Sequence, residues 1–528
     1  MEKIDQIFLN GNILTMHQPR RVSAVAVTAG KTVAVGEATE LRSLANSNTE
    51  IIDLEGRTLV PGFEDAHAHI WKVGQLLTTS LDLRHSTSIE EIGALLKKRS
   101  SILPKGAWLL GRGFNEISLV EGRRPTRHDL DRFVSDRPIL LTRTCGHIFA
   151  ANSLALKLSG IGKATIEPKG GIIERGSDGQ LNGLLHETAV GLVNSVIPAP
   201  TKADYRAMIE AALKHQLALG ITSSSDCGVL PGLLEAYLEM DEDGTLPARM
   251  LVMPLGRPDG TTGPLSLPSK HHSSKLRVDT VKFLADGGLS GGTSALTVPY
   301  PNSSFSGVTR FQSDELLALF TDAHRQGWRI STHAIGDAAI EQVLGLYEQL
   351  KAHPCGLAHR MEHVGLASGS QLKRMFRANV LAVTQPIFLD ELGANFLAYV
   401  PDDLAQRVYP IREMLDACLT VAFSSDAPVV GDDSPLTGIQ AAVLRRSREG
   451  KVILPEQAVS AEEALHAYTV GAAVAAGEEQ SRGSIQNGRW ADFAVLSADP
   501  TAVNAEAIRD ISVEETYLAG KLVYARQA

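Results

Sequence analysis

A chain of 528 residues is too long for one simple domain and long enough for a large core with an attached piece. Its 44% hydrophobic and 21% charged content is that of an ordinary globular protein, and its net charge of −9 argues against a nucleic-acid partner, which needs a basic face. No apolar run approaches the length of a membrane span, and Met1-Glu2-Lys3-Ile4-Asp5-Gln6 lacks the charged-then-apolar pattern of a signal, so the expected setting is cytoplasmic, with no membrane partner.

Residues 1–60 read as short strands. Ile7-Phe8-Leu9, Ala24-Val25-Ala26-Val27, Thr32-Val33-Ala34-Val35 and Ile51-Ile52-Asp53-Leu54 are apolar or alternating, and Gly11-Asn12, Ala29-Gly30-Lys31 and Glu55-Gly56-Arg57 separate them as turns. This predicts part of a small β-sandwich. Residues 475–528 read the same way, through Phe493-Ala494-Val495-Leu496 and the run Glu515 to Tyr524. The two ends are expected to pair into one β domain, with residues 61–474 inserted between them.

The segment Gly62-Phe63-Glu64-Asp65-Ala66-His67-Ala68-His69 follows the apolar pair Leu59-Val60. Side chains alternate along a strand, so His67 and His69 point the same way. Neutral imidazoles side by side at a dry strand end suit a divalent metal. The competing reading is a surface strand with two solvated histidines.

Residues 72–200 do not fit a regular alternation. They carry a helical stretch from Ile89 to Lys98, the segment Ala107-Trp108-Leu109-Leu110, and a glycine-rich loop from Pro168 to Gly183. They are expected to be a long insertion after the first barrel strand, over the mouth where it can shape a site.

From residue 201 strands and helices alternate. A helix over about 202–219 precedes strands at 220–226, 249–254, 279–284, 329–333, 359–364, 380–385 and 421–426. With the His67 strand these make eight, and amphipathic segments such as Asp314 to Gln326 and Ala338 to Leu350 separate most of them. The pattern predicts a distorted (β/α)8 TIM barrel. The link from Arg257 to Lys275 is rich in Gly, Pro and Ser and shows no helix.

The strand ends carry the chemistry. The first ends in His67 and His69, the fourth carries Lys282, the fifth ends in His333, the sixth in His363 and the eighth in Asp426. In a barrel these ends converge on one mouth. A lysine can take up CO2 as a carbamate whose two oxygens bridge two metals. His67 and His69 would then hold one metal and His333 and His363 the other, with Asp426 on the first metal and in contact with hydroxide.

This arrangement resembles the amidohydrolase superfamily, and most closely its YtcJ-like (amidohydrolase-3) branch, over nearly the whole chain. The residues that carry the resemblance are Pro61 to His69, Val281-Lys282-Phe283-Leu284-Ala285-Asp286-Gly287, Thr332-His333-Ala334-Ile335-Gly336-Asp337, Arg360-Met361-Glu362-His363, Ser424-Ser425-Asp426-Ala427-Pro428, and Gly483 through Phe493. Each motif is weak alone; their order is the strong signal. Glu64, Asn115 and Cys145 depart from the family pattern, the first where an aliphatic residue and the others where aspartates are usual.

The resemblance implies a metal-dependent hydrolase that cleaves a non-peptide C–N bond (amide, N-formyl or cyclic amide) of a small molecule. Asp426 would be the general base, and His67, His69, Lys282, His333, His363 and Asp426 the metal ligands. The metal is expected to be zinc, as one ion or as two if Lys282 is carboxylated. A homodimer is implied as well. A mononuclear deaminase or ester hydrolase on the same barrel is the alternative, and a catalytically dead binding or scaffold protein is the weaker one, because no ligand is lost.

His147 and Glu187, both in the insertion, are candidate substrate contacts, with a structural hydrogen bond as the rival role. Asp337 and Glu362 are expected to orient the ligands. The loop Gly287 to Ser294 lacks a GK[ST] ending and reads as a flexible active-site loop rather than a phosphate cradle. His271, His272 and His353 read as surface histidines. Cys145, Cys227, Cys355 and Cys418 lie far apart without a CxxC and are expected to be reduced and buried.

Overall fold

The computed structural model describes residues 4–257, 263, 266–350 and 358–527. His353 and Cys355 lie outside the described residues. Two five-stranded sheets form the centre. The first contains Phe63–Ala68, Ile221–Val229 and Arg249–Pro254 in parallel; the second runs Thr280–Leu284, Arg329–Ala334, Arg360–His363, Leu381–Thr384 and Val421–Phe423, also in parallel. These are the eight expected strands.

The sheets meet at two seams. At one, Leu255 pairs in parallel with Lys282 and Gly256 N donates to Lys282 O at 2.9 Å. At the other, Asp426 N donates to His67 O and His69 N to Ala427 O, both at 2.8 Å. The seams bring the last strand back to the first. Helices Lys202–Ala218, Pro231–Glu242, Ser313–Arg325 and Asp337–Leu350 pack outside, and their apolar faces share one core with strand residues such as Phe63, Val252, Ile330 and Met361. Because crossover helices cover the outer face of a parallel sheet, its strands are buried on both sides.

The distortion lies after the third strand. Leu276–Val278 pairs with Met250 and Leu251, and His271–His272 pairs antiparallel with it. His272 is exposed and His271 half-buried there, hydrogen-bonded to Glu478 and Asp241 respectively. These pairings occupy part of the edge that a fourth strand would take, so Thr280–Leu284 joins the third strand only near its end.

The chain ends interleave. Phe493–Leu496 pairs antiparallel with Thr58–Pro61 at the centre of a six-stranded sheet that also holds Asn12–Leu14, Arg21–Val22, Val513–Leu518 and Lys521–Ala525. Ala519 and Gly520 both have positive φ, at 50° and 73°, as the two-residue turn of the last hairpin requires. A four-stranded sheet of Lys31–Gly36, Ala24–Thr28, Gln6–Leu9 and Glu50–Asp53 accompanies it, and Phe8, Val25, Leu59, Phe493 and Tyr517 share one apolar cluster.

The insertion is more ordered than its sequence suggests. It holds a six-stranded sheet: Leu81–Asp82, Leu109–Phe114, Ile139–Arg143, Ile148–Ala151, Gly171–Arg175 and Leu181–Glu187. The expected glycine-rich loop is a hairpin whose second strand ends at Glu187. Its glycines hid it: Gly176 and Gly179 sit in the turn, and a Cβ on Gly183 would fall 2.4 Å from the Ala151 carbonyl. Among the described residues no helix is long and apolar enough to cross a membrane. Cys145 and Cys227 are buried free thiols, but Cys418 is exposed, at a positive φ just past a helix end.

Candidate metal centre

All eight sequence-predicted site residues line one cavity of about 150 Å3 at the mouth of the barrel: His67, His69, His147, Glu187, Lys282, His333, His363 and Asp426. His67 stands in the first strand, and His69 begins the helix Ile70–Thr78. Their Nε2 atoms lie 3.5 and 3.4 Å from Asp426 Oδ1. These three residues bring ligand atoms within 4.8 Å of one another. The His363 ring centre is 4.9 Å from that of His67 and 4.4 Å from that of His333.

Each imidazole has one nitrogen engaged by a neighbour. His67 Nδ1 is 2.7 Å from Glu362 Oε2, His69 Nδ1 is 2.8 Å from the Cys227 carbonyl, and His363 Nδ1 is 2.8 Å from Gln385 Oε1. His333 is turned the other way, with Nε2 3.1 Å from the Gly287 carbonyl and 3.3 Å from Asp286 Oδ1. Fixing one ring nitrogen sets the tautomer and leaves the other nitrogen as a ligand. Burial pushes all four imidazoles below the ordinary histidine range, His69 to about 3, so they stand neutral.

Lys282 Nζ and Asp426 Oδ1 are buried and have no hydrogen-bond partner among the described residues. Burial lowers the Lys282 ammonium. Burial opposes the Asp426 charge too, but its closeness to the imidazoles of His67 and His69 favours the ionised carboxylate. Four neutral imidazoles with free nitrogens, beside a buried amine and carboxylate lacking partners, fit a divalent metal.

Backbone strain concentrates here. His363, Val364, Asp426 and Glu187 have φ of 73°, 52°, 57° and 50°. A non-glycine residue in this region costs about 1–3 kcal/mol and persists when its surroundings fix it. The seam bond from Asp426 N to His67 O and the bond from Glu187 N to His147 O, both 2.8 Å, do so.

His147 faces the centre, its ring 5.3 Å from that of His333, and its Nδ1 is 2.7 Å from Glu187 Oε2. Burial would lower this imidazole, but the Glu187 carboxylate raises it above the ordinary range. The neighbouring His186 points the opposite way, to Glu174.

Glu362 fixes the candidate ligand His67, but Asp337 is hydrogen-bonded to none of the candidate ligands. Asp337 accepts from Thr297 N and Oγ1 instead. Asp286 takes the place by His333 and accepts from the backbone of Ala295, Ile335 and Gly336. The loop Gly287 to Ser294, expected to be flexible, is almost wholly buried at the mouth and tied down through Ser290 O by Arg143 and Asn395. Glu64, unusual for this position, forms a buried ion pair with Arg482 at 2.9 Å. Lys72, Arg112 and Arg310 also line the cavity, unmarked in the sequence reading. Lys72 is one helical turn past His69, a signal that spacing offered; Arg112 and Arg310 become visible only in the folded chain.

The model of the Amidohydrolase family matches residues 50–524. The chain is 32% identical to the putative amidohydrolase YtcJ of Bacillus subtilis (strain 168), over 98% of this chain and 99% of that one. It is 30% identical to the N-substituted formamide deformylase of Arthrobacter pascens, over 99% and 98%. An uncharacterized metal-dependent hydrolase from Pyrococcus horikoshii OT3 has the same fold, with a TM-score of 0.75 at 28% identity, covering 95% of this chain and 99% of that one. The chain belongs to the amidohydrolase family, in its YtcJ-like branch, and is a hydrolase of carbon–nitrogen bonds.

Proposed function

We propose that the protein hydrolyses the amide C–N bond of a small N-formyl or other N-acyl compound at a metal centre held by His67, His69, Lys282, His333, His363 and Asp426. The observation that carries this reading is the set of free imidazole nitrogens and unpartnered Asp426 and Lys282 atoms around one cavity. The likeness to a formamide deformylase supports the choice of acyl group.

When bound, a divalent metal, zinc being the usual choice for imidazole ligands, polarises a carbonyl and lowers the pKa of a water from about 15.7 toward about 7. The chain's own residues do the rest. Asp426, ionised and buried, accepts the proton of the attacking water and passes it to the departing amine nitrogen. His147, held by Glu187, offers its Nε2 to a substrate oxygen. Lys282, with its charge disfavoured by burial, adds CO2 at Nζ and releases a proton, giving a carbamate with two ligand oxygens.

A second reading places one metal on His67, His69 and Asp426, with Lys282 unmodified, in a deaminase or ester hydrolase. It draws on the close approach of those three residues alone. Elemental analysis of protein purified without chelator and with bicarbonate present separates the two. Two equivalents per chain are expected. One equivalent favours the second reading. No metal, and none taken up on reconstitution, overturns both, as does undiminished turnover of a true substrate by Asp426→Asn.

A further inference from the structure

One wall of the cavity carries two cations that no carboxylate among the described residues pairs with directly, although Asp426 lines the same cavity. Lys72 stands on the first turn of the helix Ile70–Thr78, and Arg112 in the insertion strand Leu109–Phe114; both line the cavity. Arg112 is only 9% exposed. Its Nε donates to the Pro428 carbonyl at 3.4 Å, and among the described residues no carboxylate pairs with its guanidinium. Lys72 Nζ lies 5.9 Å from the centre of the Trp71 ring, and no carboxylate among the described residues pairs with it.

Other buried arginines pair with a carboxylate or, like Arg137 and Arg329, donate to at least two backbone carbonyls. Arg143 pairs with Glu116, Arg249 with Asp492, Arg360 with Glu362 and Arg482 with Glu64, while Arg445 donates to three backbone carbonyls. Arg310, across the same cavity, donates to Glu187 at 3.3 Å. A buried charge without a paired carboxylate is costly, so a cavity that sets buried Arg112 beside half-buried Lys72 suits an anion. Burial, and then the charge of Arg112, lowers the Lys72 ammonium to about 8, against the opposing pull of Asp426 and Asp226. A guanidinium fork matches a planar carboxylate, and a cavity of about 150 Å3 suits a small planar group.

We propose that Arg112 and Lys72 form a subsite for a carboxylate on the substrate, which makes N-formyl or N-acyl amino acids the preferred substrates over neutral N-substituted amides. This rests on the proposed C–N hydrolysis for the reaction, but not for the binding.

The test uses the metal-loaded enzyme and a matched pair of probes, N-formylphenylalanine (each enantiomer) and the neutral N-formylphenylalaninamide. Affinity is measured by titration calorimetry and hydrolysis is followed separately. The carboxylate should bind about ten- to a hundredfold more tightly than the amide, the scale of one charge-assisted pair. That gap should collapse in Arg112→Gln and narrow in Lys72→Met, with Arg112→Lys restoring part of it. Equal affinity of wild type for the two probes, or a gap that survives in both variants, overturns the subsite. A gap that behaves as expected, with neither probe hydrolysed, leaves the subsite standing and counts against the N-acyl reading instead.

Discussion

His67 Nδ1 and Glu362 Oε2 lie 2.7 Å apart inside the barrel, so a carboxylate from the sixth strand fixes an imidazole on the first. Glu362 is itself held by Arg360, at 2.8 and 3.1 Å, and by the Ser331 hydroxyl at 2.7 Å. Such outer partners are worth about 10–100-fold in metal affinity. Glu362→Gln should lower affinity by that factor. A competitive chelator titration, with metal content after dialysis, checks it.

Asp426→Asn should retain the fold and lose turnover. The amide cannot take the proton, and positioned acid–base groups contribute about 10²–10⁴-fold. The expected result is a fall in kcat of that order with little change in thermal midpoint, read by steady-state kinetics and calorimetry.

Glu116 ties the insertion to the barrel mouth. It pairs with the buried Arg143, which also donates to Ser290 O at 2.9 Å, and Tyr399 donates to it at 3.2 Å. Burial would raise the Glu116 carboxyl, but Arg143 and then Arg124 lower it from 4.5 to about 2. A depressed carboxylate stabilises the fold above its ordinary pKa. That contribution, on the order of 3 kcal/mol, should fade as pH falls from about 4.5 through about 2. Glu116→Gln leaves Arg143 buried without its counter-charge and should cost about 3–5 kcal/mol near neutrality. Denaturation midpoints across pH 2–7 should converge for the two proteins at the acid end.

Gly336 follows the fifth strand, and its N–H donates to Asp286 at 2.9 Å, beside His333. A Cβ there would fall 1.8 Å from the Ala295 carbonyl. Gly336→Ala should force the loop to shift and cost about 1–3 kcal/mol in thermal stability. Because Asp286 moves with it, metal affinity should fall in the same variant, which chelator titration would report.

The chain by itself determined the barrel and the candidate ligands at its strand ends. Apolar runs of strand length alternating with helical periods count the parallel strands, and an order of His-x-His, Lys, His, His and Asp at their ends picks out residues that line one cavity, because both signals are local. Position along the chain also suggested His147 and Glu187. Tertiary structure alone decided who touches whom. Asp286 rather than Asp337 stands by His333, although Asp337 is nearer in the motif, because Thr297 engages Asp337 first. The insertion's sheet was illegible since its strands are short and interrupted by glycines that serve close backbone approach. That no carboxylate among the described residues pairs with Lys72 or Arg112 is a property of the folded cavity: whether a cation has a partner depends on residues distant in sequence, and no local pattern encodes that.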